Sequence, residues 1–163
     1  MKVLTRETVL NLRPCLSQAR ILKLIPEQGI PLDETALKKL LKLNKEHARW
    51  LINRLLTPAR RIQWATAAAK RAEKHNKSCQ GKNTTYFYTN KVGYLLHAIT
   101  HDLELLKIWC GTDPVDSENI VYMSYETAYF ATLSRLSEKE ARQTREKEHQ
   151  ICMTHAFKLL TRK

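Results

Sequence analysis

The chain has 163 residues, 43% of them hydrophobic and 27% charged, with a formal net charge of +12 at pH 7. Such proportions belong to a folded protein of one ordinary domain, or two small ones sharing part of a core, and exclude a disordered tail. No apolar run approaches the roughly 20 residues that cross a bilayer, and Met1 to Leu12 alternates polar and apolar residues without a signal-peptide core, so the sequence reads as cytoplasmic.

Charge divides the chain. Residues 1–90 hold 18 Lys and Arg against 6 Asp and Glu, whereas residues 91–163 hold 10 of each sign. Solubility does not require such a partition; a phosphate-binding surface does, because each neutralised phosphate releases condensed counterions. The four cysteines, Cys15, Cys79, Cys110 and Cys152, form no C-x-x-C pair, which argues against a zinc knuckle and for reduced thiols. Cys15, Cys110 and Cys152 lie in apolar helical surroundings and read as small core residues.

In chain order, Pro14 opens a helix to about Ile25, with Leu16, Ala19, Ile21 and Leu22 on its apolar stripe, and Pro26 and Gly29 stop it. Asp33 caps a second helix carrying Ala36, Leu37, Leu40 and Leu41. A turn at Leu43-Asn44 leads to a third, with Ala48, Leu51, Ile52 and Leu55 in a new apolar phase. Thr57-Pro58 is an N-cap and first-turn pair. Beyond it the spacing predicts two short strands, one near Ile62–Trp64 and one over Thr84–Thr89, around a basic and partly helical excursion from Ala65 to Lys74. Lys91 to Cys110 is a helix ended by Gly111. A Tyr-rich helix follows within Ser117–Leu136, and the capping box Ser137-Glu-Lys-Glu140 opens the last one.

Helix, turn, helix, short turn, helix and possible hairpin is the element order of a winged helix-turn-helix domain. Residues 18–62 (QARILKLIPEQGIPLDETALKKLLKLNKEHARWLINRLLTPARRI) resemble that superfamily: a first helix ending near Gly29, ALKKLLKLN as second helix and turn, and KEHARWLINRLL as recognition helix. The resemblance implies a mainly α fold in which residues 1–90 form a DNA-binding domain with a small β-hairpin. Asn44, Lys45, His47, Arg49, Asn53 and Arg54 would then project from the recognition helix towards bases and phosphates. Arg60, Arg61, Lys70, Arg71, Lys74, Lys77 and Lys82 would follow the phosphate backbone. Trp50 and Trp64 are expected to pack between helix and hairpin.

Residues 91–163 are expected to form a helical oligomerisation or partner-binding domain, with Ala141, Cys152, Met153, Ala156, Phe157 and Leu160 facing a homodimer contact. The resulting reading is a sequence-specific binder of double-stranded DNA, a transcriptional regulator acting as a dimer, or a plasmid or phage replication or partition factor built on the same domain. A different class is an enzyme: Arg142 and His149 resemble the R-x(4 to 6)-H spacing of helical HEPN-type ribonucleases and toxins. His97 and His101, followed by Asp102, have metal-ligand spacing but no third ligand in sequence. Neither a Gly-rich phosphate loop nor a Ser/His/Asp signature is present, and no metal or cofactor is implied.

Overall fold

A computed structural model describes residues 3–15, 18–33, 45–77 and 114–162, together with residues 35 and 39. The described chain is mainly helical, with one two-stranded antiparallel sheet. Strand β1 (Val3–Leu4) pairs with β2 (Ile30–Pro31), placing Val3 opposite Pro31 and Leu4 opposite Ile30. Helix α1 (Arg6–Asn11) follows β1, capped by the Thr5 side chain, which accepts from the Thr8 backbone N–H at 3.1 Å. A 3-10 segment (Gln18–Leu24) leads into the turn before β2. Gly29 in that turn has φ +80, and a Cβ there would lie 2.6 Å from Val3 Cγ1 and 2.9 Å from the Leu4 carbonyl oxygen. Only glycine lets β1 lie against this turn.

Among the described residues four helices supply the body: α2 (Lys45–Leu55), α3 (Pro58–Lys77), α4 (Pro114–Leu133) and α5 (Glu138–Thr161). The most extensive packing is α3 on α4 and α4 on α5, with α2 touching both α4 and α5. One buried cluster runs from Leu4, Val9 and Ile25 through Leu51, Ile52 and Trp64 to Val121, Met153 and Phe157. A smaller cluster of Ala65, Ala69, Ala72 and Ile120 seals α3 against α4, where alanines allow close helix approach. Helices from both sides of residue 90 therefore share one core.

Several expectations hold. Helix α2 spans the expected third helix. Pro58 opens α3 behind Thr57, and Ser137 and Glu140 form a reciprocal capping box at the start of α5. Trp50 and Trp64 are buried, as is Cys152.

Others are corrected. The strand expected near Ile62–Trp64 is helix: α3 is apolar on two sides, with Trp64 and Ala68 in the main cluster and Ile62 packed on the smaller one. Two flanking contacts on one helix read as alternation. The observed sheet is N-terminal, not a hairpin at 62–64 and 84–89; the second of those segments lies outside the described residues, as do the Lys91–Cys110 helix and most of the helix expected after Asp33. The helix expected from Pro14 is a 3-10 segment beginning at Gln18, and Cys15 is exposed. The α5 stripe expected at a dimer contact, Ala141, Cys152, Met153, Ala156, Phe157 and Leu160, is already buried within a single chain.

Candidate functional site

Helix α2 has no free outer face through its middle. Ala48, Arg49, Trp50, Leu51, Ile52 and Asn53 are all buried. Six consecutive residues cover more than a full helical turn, so neighbours surround α2 instead of leaving one side for a DNA groove. This corrects the placement of Arg49 and Asn53, expected to project outward. The Arg49 Nε donates to Glu118 Oε1 at 3.1 Å, its Nη1 donates to the Tyr125 hydroxyl, and its guanidinium lies 5.2 Å from the Tyr122 ring centroid. Asn53, fully buried, accepts from the Ser117 hydroxyl at 2.8 Å. Lys45 pairs with Glu146 on α5, and Arg54 sits over the Trp50 ring at 5.6 Å. His47 is half-buried, while Asn44 lies outside the described residues.

The basic segment divides. Arg61 is buried and donates to the Leu56 carbonyl at 3.3 Å, ending α2 instead of meeting a ligand. Lys70 and Lys74, one turn apart on α3, are exposed. Arg60 Nη2 donates to the Arg162 carbonyl at 3.0 Å, and Arg71 grips Glu148 with two hydrogen bonds of 2.7 Å each. These contacts run α3 antiparallel to α5. Lys82 and the side chain of Lys77 lie outside the described residues.

Helices α3 and α5 thus pack side by side, and each carries exposed cations. Exposed Lys147 and Lys158 on α5 border a groove also lined by Gln150, Ile151, Thr154 and His155, with no carboxylate among these lining residues. Glu148, on the α3 side of α5, is buried beneath Arg71 and His75, whose Nε2 is 3.2 Å from its carboxylate. Burial alone would raise the Glu148 pKa, but hydrogen bonds from His75 and Arg71, reinforced by their charge, outweigh it and hold the group at about 2. The carboxylate is internally neutralised, while Lys70 and Lys74 on α3 and Lys147 and Lys158 on α5 are exposed.

A separate cleft of about 270 Å³ opens where α2, α4 and α5 meet. Lys45, Glu46 and Arg49 line it from α2, Tyr122 and Tyr125 from α4, and Arg142, Arg145, Glu146 and His149 from α5. Arg142 and His149, the expected ribonuclease pair, come together here. Arg142 donates to Glu138 through Nε at 3.1 Å and Nη2 at 2.5 Å, and Arg145 pairs with Glu126. His149 is 4% exposed, edge-on to Tyr125 at 5.2 Å, with neither ring nitrogen hydrogen-bonded among the described residues. Burial, opposed by Glu146 and aided by Lys45, Arg49 and Arg145, lowers its pKa to about 4, so the ring is neutral at physiological pH. Burial also raises the Tyr125 phenol. Both imidazole nitrogens are shielded from solvent in this arrangement.

Glu118, Tyr122, Tyr125, Arg145 and Glu148 carry these sites and escaped sequence reasoning, because their partners lie on other helices, 19 positions away in Arg145–Glu126 and 69 and 77 away in Arg49–Glu118 and Arg71–Glu148. Among the described residues no group of His, Cys, Asp and Glu could hold a metal ion, and His97, His101 and Asp102 lie outside them. No described helix is long and apolar enough to cross a membrane. Compared with known families, curated proteins and solved structures, the chain matches none of them.

Proposed function

We propose that this protein binds double-stranded DNA through the cationic face shared by α3 and α5, gripping the phosphate backbone with little reading of bases. The observation that carries the proposal is the exposure of Lys70 and Lys74 on α3 and of Lys147 and Lys158 along an acid-free groove on α5, while the carboxylate Glu148, between the two helices, is buried and paired. Lys147 and Lys158 are separated by about 16 Å of helix at 1.5 Å per residue. Over that length a duplex offers on the order of ten phosphate charges, counting both strands. Helix α2, whose middle is enclosed, has no part in this mode. A regulator, replication factor or partition factor would each build on such binding.

The test is anisotropy of a labelled duplex titrated at several salt concentrations. Four phosphate contacts would give a log–log slope of about −4. The double variant Lys70→Glu, Lys74→Glu should weaken binding to every sequence alike and flatten the slope, because backbone contacts carry no base information. Affinity that ignores salt, or a double variant that binds like the unaltered protein, would remove the proposal. Preference for single-stranded RNA over duplex would count against the duplex assignment.

A further inference from the structure

The cleft between α2, α4 and α5 takes no part in the proposed DNA contact, and it holds an unsatisfied group. Tyr125 and His149 are its most buried lining residues, each 4% exposed, and the His149 imidazole lacks a hydrogen-bond partner among the described residues at both nitrogens. A neutral imidazole has one N–H donor and one acceptor, and burying them unpaired costs on the order of 1–3 kcal/mol. A cleft that tolerates this cost at its base is suited to a partner that arrives from outside.

The surrounding donors define that partner. Three guanidiniums, Arg49, Arg142 and Arg145, border the cleft, each already oriented by one carboxylate: Glu118, Glu138 and Glu126 respectively. Arg49 and Arg145 also lie over the rings of Tyr122 and Tyr125, at 5.2 and 6.0 Å. A guanidinium has five N–H donors in a fixed fork, more than one carboxylate and one hydroxyl consume, and held in place it binds an oxyanion with little loss of side-chain freedom. Two carboxylates, Glu46 and Glu146, also line the cleft; Glu146 is engaged by Lys45 in an exposed pair of the kind worth at most about 1 kcal/mol, which an entering anion can rearrange. At about 270 Å³ the cleft is smaller than the usual range for drug-sized ligands, so it suits a compact group.

We propose that this cleft is a binding site for a tetrahedral oxyanion, the phosphate group of a phosphomonoester, held by Arg49, Arg142, Arg145 and His149. The site carries its own signature. The charges facing His149 are Lys45, Glu46 and Arg49 from α2 and Arg142, Arg145 and Glu146 from α5, with the Tyr122 and Tyr125 rings from α4. Among these, Lys45, Arg49 and Arg145 disfavour its protonation. An oxyanion reverses that field and offers an acceptor, so binding draws a proton onto the ring and weakens as pH rises.

The experiment is isothermal titration with sulfate, whose charge is constant over the working pH range, in two buffers of different ionisation heat and with chloride at matched ionic strength as reference. Sulfate should bind with proton uptake near about pH 6, and more weakly near about pH 8. Arg142→Gln, at an exposed position, should weaken it about tenfold. His149→Leu, checked by thermal melting to have kept its fold, should abolish the uptake. Lys70→Ala with Lys74→Ala should leave sulfate binding unchanged, which separates this site from the DNA face. Displacement of sulfate by inorganic phosphate, a mononucleotide or a 5′-phosphorylated single strand supports the assignment, and their ranking gives the source of the phosphate. Sulfate no better than chloride, binding unaltered in Arg142→Gln, or no displacement by any of the three would overturn it.

Discussion

The indole N–H of Trp64 donates to the backbone carbonyl of Cys152 at 2.8 Å, joining α3 to α5 across 88 residues of sequence. Trp64 is fully buried, so its indole N–H would be unsatisfied without this acceptor. Trp64→Phe keeps an aromatic ring but loses this hydrogen bond and leaves a void beside the carbonyl, at a cost of about 2–4 kcal/mol. Denaturant unfolding followed by circular dichroism should lose that much stability while remaining a single transition. A separate transition for each half would show that the shared core does not couple them.

Arg49 is expected to govern stability, not sequence choice. Removing one partner of a largely buried ion pair leaves the other uncompensated, so Arg49→Ala should cost about 3 kcal/mol. In a double-mutant cycle, Glu118→Ala should cost much less in the Arg49→Ala background than alone. Additive losses would mean that the pair contributes nothing as a pair.

Stability should fall with acidity in two stages. His149 has a folded pKa of about 4 against an ordinary 6.5, so the unfolded chain binds more protons between these values, and stability declines as pH drops from about 6.5 to about 4. Glu148 has a folded value of about 2 against an ordinary 4.5; its contribution is complete above 4.5 and disappears as pH falls through about 2. Chemical denaturation at a series of pH values should show both stages. His149→Leu should flatten the upper one alone, and an unchanged upper stage in that variant would assign the effect to another group.

Phe157→Asp should unfold the chain instead of merely separating subunits. Phe157 is 5% exposed within one chain and belongs to the main cluster, so an aspartate there would be a buried unpaired charge. Circular dichroism and light scattering distinguish the outcomes: lost helix signal fits the core placement, whereas a folded monomer derived from a larger species would restore α5 as a subunit contact.

The helices were legible where the signal is local. Apolar spacing marked α2, the Thr57-Pro58 pair marked the start of α3, and Ser137 with Glu140 marked α5 to the residue. Local signals could not tell which neighbours cover each face. The polar residues of α2 resembled a solvent side because Arg and Asn are usually exposed, yet Arg49 meets Glu118 and Tyr125, and Asn53 meets Ser117. The concentration of charge in the first half was also visible, but the cationic face takes Lys147 and Lys158 from the charge-balanced second half. Arg142 and His149 were recognisable by spacing, whereas the tyrosines and Arg49 that complete their cleft could be found only by folding α2 and α4 onto α5.

The enclosure of α2 has a consequence for inheritance. A helix that reads DNA keeps its inner side and varies its outer side as targets diverge. Helix α2, buried without interruption from Ala48 to Asn53, offers no such variable side. In a saturation library selected only for folded protein, positions 48–53 should therefore tolerate fewer substitutions than Lys70 or Lys74, whose side chains stand in water. Divergence of whatever this protein binds would then be recorded in α3 and α5, while α2 stayed constant as the post around which the other helices are arranged.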